Sequence, residues 1–205
     1  MQRGVRATLM RGGTSRALLY EAKDMPEDPA LRDAILLAAM GSPDPRQIDG
    51  VGGATFLTSK NAIISPSKEE GVDVDYFFLQ ITPERPDVDT APTCGNILSA
   101  VGPFAIERGM VKAQDGETRV RIRAINTGDL VESVIQTPGG LVEYEGDTAI
   151  DGVPGTAAPI LLNFMECLGS KTGKLFPTGN VVDVIDGIEV TLADAAMPVM
   201  MMRAE

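Results

Sequence analysis

Two residues of this 205-residue chain have the type and setting for proton chemistry, Cys94 and Lys60. Cys94 lies in Pro92-Thr93-Cys94-Gly95-Asn96-Ile97-Leu98, where an extended segment gives way to a helix. A thiol at that point faces the unpaired N–H groups and the positive dipole end of the helix. Such surroundings make a cysteine available as a base or nucleophile, although position alone suits a buried structural cysteine equally well. Lys60 ends the loop Asp49-Gly50-Val51-Gly52-Gly53-Ala54-Thr55-Phe56-Leu57-Thr58-Ser59-Lys60. Glycines let backbone N–H groups approach a ligand, and nests of such groups bind carboxylates. Ser59 adds a hydroxyl, and Lys60 a charge or a base; the plain alternative is a flexible loop ending in a solvated lysine. A third loop, Arg11-Gly12-Gly13-Thr14-Ser15-Arg16, sets two guanidinium groups around a glycine pair. If the three loops converge, they form a pocket for carboxylates.

What the chain lacks narrows the chemistry. It has no histidine, so Ser-His-Asp and Cys-His couples are excluded within one chain. Zinc loses its commonest ligand, and two distant cysteines, Cys94 and Cys167, do not replace it. Proton transfer must therefore run through Lys, Cys, Asp, Glu or Tyr. Two cysteines make no disulfide framework, so a reducing cytoplasm is the expected compartment. A net charge of −11 and no visible Lys/Arg cluster argue against nucleic acid. No stretch reaches the eighteen-plus apolar residues of a membrane span, and the charged N-terminus leads into no apolar signal region. Gly169-Ser170-Lys171-Thr172-Gly173-Lys174 lacks the order of a phosphate loop and reads as surface.

The elements that would position these residues are strand-rich. Val5 to Met10 and Arg16 to Tyr20 read as strands around the arginine–glycine loop. A helix opens at Asp28 as N-cap with Pro29 at its first position, runs to about Met40, and stops at Gly41 and Pro43. Lys60 to Ser65 and Val72 to Thr82 read as strands. Ile97 to Arg108 reads as a second helix, apolar on most sides and therefore enclosed; Pro103 should kink it or disturb one turn. Arg119 to Ile125 alternates cleanly as a half-solvated strand. Leu130 to Thr137, Ile160 to Met165 and Val190 to Leu192 continue the series. Ala195 to Met202 is an apolar, strand-like run with no partner after it, which predicts dimerisation, aggregation or a disordered terminus.

Several ordered motifs resemble the PrpF family of isomerases: Met10-Arg11-Gly12-Gly13-Thr14-Ser15, Gly41-Ser42-Pro43-Asp44, Gln47-Ile48-Asp49-Gly50, Gly52-Gly53-Ala54, Thr58-Ser59-Lys60, Cys94-Gly95-Asn96 and Phe176-Pro177-Thr178-Gly179-Asn180. The resemblance covers nearly the whole chain. It implies an α+β, diaminopimelate epimerase-like fold, with a mostly antiparallel sheet wrapped around a central helix in each of two similar domains. This chain would hold one domain of the usual two, residues 1–187, and in 188–205 the first strand of a second domain otherwise missing. By matching position, Lys60 and Cys94 would be the catalytic acid/base pair. Arg11, Gly12, Gly13, Thr14, Ser15, Arg16, Gly52, Gly53, Ser59, Gly95 and Asn96 would bind substrate, with no metal and no cofactor.

The implied substrates are small unsaturated polycarboxylates, isomerised through an enolate-like intermediate. The spacing around Gln47-Ile48-Asp49-Gly50 and the run Val101 to Glu107 lean towards 4-oxalomesaconate tautomerase, with 2-methylaconitate cis-trans isomerase next. Alternatives are an inactive domain that binds a ligand or partner chain, and a racemase or epimerase of the same fold; a homo-oligomer fits the apolar tail. The chain departs from the family pattern in having Arg16 where lysine is usual and Thr93 where asparagine is common before the cysteine. Cys167 reads as an incidental structural thiol.

Overall fold

Side-chain alternation builds the layers. In β2 (Ser15–Glu21), Ala17 and Leu19 belong to one buried cluster, Leu18 and Tyr20 to another. The same split recurs in β4 (Val74–Ile81), where Val74, Tyr76 and Phe78 join the first cluster and Leu79 and Ile81 the second. A period of two places these sets on opposite faces of one sheet. The computed structural model describes residues 4–165, 168–169, 171–195 and 197–204. Among these, the large sheet has eight strands, ordered β1 (Thr8–Gly12), β2, β3 (Lys60–Pro66), β4, β6 (Gly116–Ala124), β7 (Leu130–Thr137) and β8 (Ile160–Phe164), with β5 (Val88–Asp89) beside β4. The pairs β1–β2, β3–β4, β4–β5 and β6–β7 run antiparallel, and β2–β3 and β4–β6 parallel, which matches the mostly antiparallel α+β expectation.

Helix α1 (Pro29–Met40) covers the second face. The Asp28 carboxylate accepts from the N–H groups of Ala30 and Leu31 at 2.8 and 3.1 Å, and Gly41 ends the helix at φ 81°. Helix α2 (Gly95–Glu107) covers the first face and touches β1, β2, β3, β4, β6 and β7. Burying Ile97, Leu98, Val101 and Phe104 contributes roughly 1.5–3 kcal/mol each. The helix starts two residues earlier than the periodicity suggests and runs as one assigned helix through Pro103.

The chain divides into two compact units, residues 1–163 and 164–205. The second unit holds β9 (Asp183–Ile185), β10 (Ile188–Ala195) and β11 (Met197–Met202), antiparallel in the order β11-β10-β9. The expectation of an unpartnered apolar tail is thereby corrected: β11 pairs with β10 from Ala195↔Met197 to Val190↔Met202. In the segment read as a surface loop, Lys171 to Lys174 are exposed turn and bend residues, and the Lys171 and Thr172 N–H groups donate to the Asp194 carboxylate at 2.8 and 2.7 Å. No helix among the described residues is long and apolar enough to cross a membrane.

Candidate active site

Lys60 is the first residue of β3, level with Ala17 of β2 and Gln80 of β4. Alternation along β3 turns it, with Ala62 and Ile64, towards α2. Cys94 is the N-cap of that helix, in an extended conformation that no side chain caps. The two meet: Lys60 Nζ donates to Cys94 Sγ at 3.4 Å, with both residues at most 9% exposed. The ammonium also lies 5.3 Å from the centroid of the Phe78 ring, whose face attracts a cation. Below the thiol, the fully buried Tyr76 hydroxyl donates to the Cys94 carbonyl at 3.2 Å. Burial, and secondarily the neighbouring Cys94, pushes this phenol well above its ordinary range, so it stays a donor.

The Arg11–Arg16 hairpin docks on the same helix end. A Cβ on Gly12 would lie 2.4 Å from the Asn96 carbonyl oxygen, and one on Gly13 (φ 52°) 2.2 Å from Asn96 Oδ1. Only a glycine pair admits this approach. Asn96 Nδ2 donates to Thr14 Oγ1 at 3.0 Å and closes the contact. Ser15 and Thr93 each hold a buried hydroxyl without a partner, a costly state unless something bonds to it. Gly12, Gly13, Thr14, Ser15, Gly95 and Asn96 are thus gathered around the Cys94 end of α2.

The matching family description, "PrpF protein", spans residues 2–205. The chain belongs to the PrpF family. It is 56% identical over 195 residues to the (4E)-oxalomesaconate Delta-isomerase of Novosphingobium sp. (strain KA1), covering 95% of this chain and 55% of that protein. It is 41% identical to the 2-methyl-aconitate isomerase of Shewanella oneidensis, covering 98% and 55%. A crystal structure of methylitaconate-delta-isomerase superposes with a TM-score of 0.92 at 46% identity, over 98% of this chain and 53% of that one. The chain therefore spans about half the length of the relatives it matches, and its fold is the diaminopimelate epimerase-like one expected.

Other residues singled out in this PrpF sequence take different positions. Arg11 and Arg16 are cross-strand partners on the face opposite Ser15 and Ala17. Arg11 donates to the Gly13 carbonyl at 2.9 Å, and Arg16 to the Val51 carbonyl at 3.2 Å. Gly52 and Gly53 pack on Gln47, and on Thr58 and Arg16, respectively. Ser59 spends its hydroxyl on Gln47 Oε1 at 2.7 Å. The Phe176–Asn180 motif lies in the second unit, where Thr178 and Asn180 donate to Asp183 and hold that carboxyl below its usual range. Cys167 lies outside the described residues.

Among the described residues, no group of three or more His, Cys, Asp and Glu gathers to hold a metal. The sequence reading missed Tyr76, Phe78 and Gln47. The first two carried a signal, since alternation in Val74–Ile81 turns both to the same face.

Proposed function

We propose that this PrpF chain carries the acid–base half of a cofactor-independent isomerase acting on small unsaturated polycarboxylates. The 3.4 Å contact between Lys60 Nζ and Cys94 Sγ carries the reading. It puts two proton-bearing groups together at a helix end, walled by the Phe78 ring. One member of the pair removes a proton from a carbon next to a carbonyl or carboxylate. The electrons pass into an enolate-like intermediate, and the other member returns a proton at a different carbon. The double bond moves and nothing is oxidised or reduced. The first-turn N–H groups of α2, with the Ser15 and Thr93 hydroxyls, are donors for the substrate's carboxylates and for the charge that develops.

Identity of 56% to an oxalomesaconate isomerase against 41% to a methylaconitate isomerase supports 4-oxalomesaconate as the first substrate to try. The greater length of the relatives supports reading residues 188–205 as the start of a second domain. An ultraviolet assay with 4-oxalomesaconate and 2-methylaconitate, run on this chain and on one extended to the relatives' length, tests both points. Turnover of the first acid in preference to the second is expected. Turnover of neither acid by either chain overturns the substrate class.

A further inference from the structure

Behind Lys60 stands a buried carboxamide that the proton chemistry does not use. Gln47 is 1% exposed and takes a left-handed backbone, φ 49°, disfavoured for a residue with a Cβ. Its Oε1 accepts from Ser59 Oγ at 2.7 Å and from the Ala54 N–H at 2.8 Å, and its Nε2 donates to Ser42 Oγ at 3.2 Å. Its own N–H donates to the Asp44 carbonyl, and its carbonyl accepts from Gly50 N–H at 3.1 Å. A Cβ on Gly52 would fall 2.2 Å from that Oε1, so the glycine-rich loop is moulded on the carboxamide. Ser59 is the other end of the link. Its carbonyl accepts from the Ile81 N–H and from Gln80 Nε2, both at 3.0 Å, and the next residue is Lys60.

We infer that Gln47 is a positioning residue: through Ser59 and Ala54 it fixes the Gly52–Lys60 segment and so holds the Lys60 ammonium against Cys94. The hub spends one oxygen on two donors from opposite ends of the loop. Losing it frees the loop and the β3 start together. The inference rests on the reading of Lys60 and Cys94 as a working pair.

The test compares the full chain with Gln47→Met, similar in size without the carboxamide, and Gln47→Glu, which keeps an acceptor oxygen. One readout is peptide-resolved hydrogen exchange across residues 52–60. The other is the rate of Cys94 alkylation by iodoacetamide at pH 7, separated from Cys167 by peptide mass, with Lys60→Met alongside. Gln47→Met is expected to speed exchange in that segment roughly tenfold over the rest of the chain. It should also move the Cys94 rate in the direction of Lys60→Met, and Gln47→Glu should recover most of both. A Gln47→Met protein with a lower melting temperature but wild-type local exchange and Cys94 rate would make Gln47 merely structural and overturn the inference. If Gln47→Met does not fold, Ser59→Ala cuts the same 2.7 Å bond from its other end and must give the same pattern. If Lys60→Met itself leaves the Cys94 rate unchanged, the acid–base reading fails, and local exchange alone decides Gln47.

Discussion

Residues 1–163 and 164–205 form separate compact units that bury their chains by different means. The first unit encloses its sheet between two apolar clusters, with α2 set in one and α1 in the other. In the second unit, Val181, Val184, Met200 and Met201 are all more than half exposed. There a buried carboxylate does the organising: Asp194 accepts from Lys171 N–H, Thr172 N–H and Thr172 Oγ1. Apolar burial scales with area removed from water, while a single carboxylate fixes only what it reaches. The Lys60–Cys94 contact sits in the unit whose core can hold two side chains in register.

The largest test of this contrast is Phe104→Ala. Phe104 is 1% exposed on α2, and its removal is expected to cost about 3–5 kcal/mol in urea unfolding. Met200→Ala, at a 53% exposed position, should stay within about 0.5 kcal/mol. Comparable losses from the two would abolish the distinction. Next comes Asp194→Ala, which removes the shared acceptor of three hydrogen bonds and should cost about 1–3 kcal/mol. Hydrogen exchange should quicken in residues 168–175 while residues 1–163 keep their protection.

The smallest effect concerns Asp44, whose carboxylate takes the N–H groups of Arg46 and Ile48. Those bonds, and then the Arg46 charge, hold its pKa below the ordinary 3.8. A carboxyl lowered on folding stabilises the turn above its unfolded pKa, and that contribution is lost as pH falls through the folded one. Protection factors in residues 44–50, corrected for the intrinsic pH dependence of exchange, should therefore fall below about pH 4, and Asp44→Asn should remove that dependence.

The parts legible in the sequence were those with local punctuation. Asp28, Pro29 and Gly41 mark both ends of α1, and β7 occupies the expected Leu130–Thr137. Gly95 and Asn96 are poor helix formers, so the first turn of α2 could not be read from propensity. β1 shifts from Val5–Met10 to Thr8–Gly12 because its ladder with β2 extends to Gly12↔Ser15. No Gly or Asn between Ala195 and Met197 announces the β10–β11 hairpin, so the tail reads as unpaired.

In the site, Lys60 and Cys94 were each visible as types at the ends of elements. Their meeting depends on the parallel pairing of β2 with β3, which is non-local. The cross-strand register also pairs Arg11 with Arg16, and a single strand does not reveal it.

The central claim is that Lys60 and Cys94 act as one acid–base pair. Its most direct test is deuterium uptake from heavy water into 4-oxalomesaconate, followed by mass spectrometry with the wild type, Lys60→Ala and Cys94→Ser, in the chain length that turns over. The account predicts catalysed uptake in the wild type and a fall of at least about a hundredfold in each variant. Wild-type uptake in either variant would contradict it.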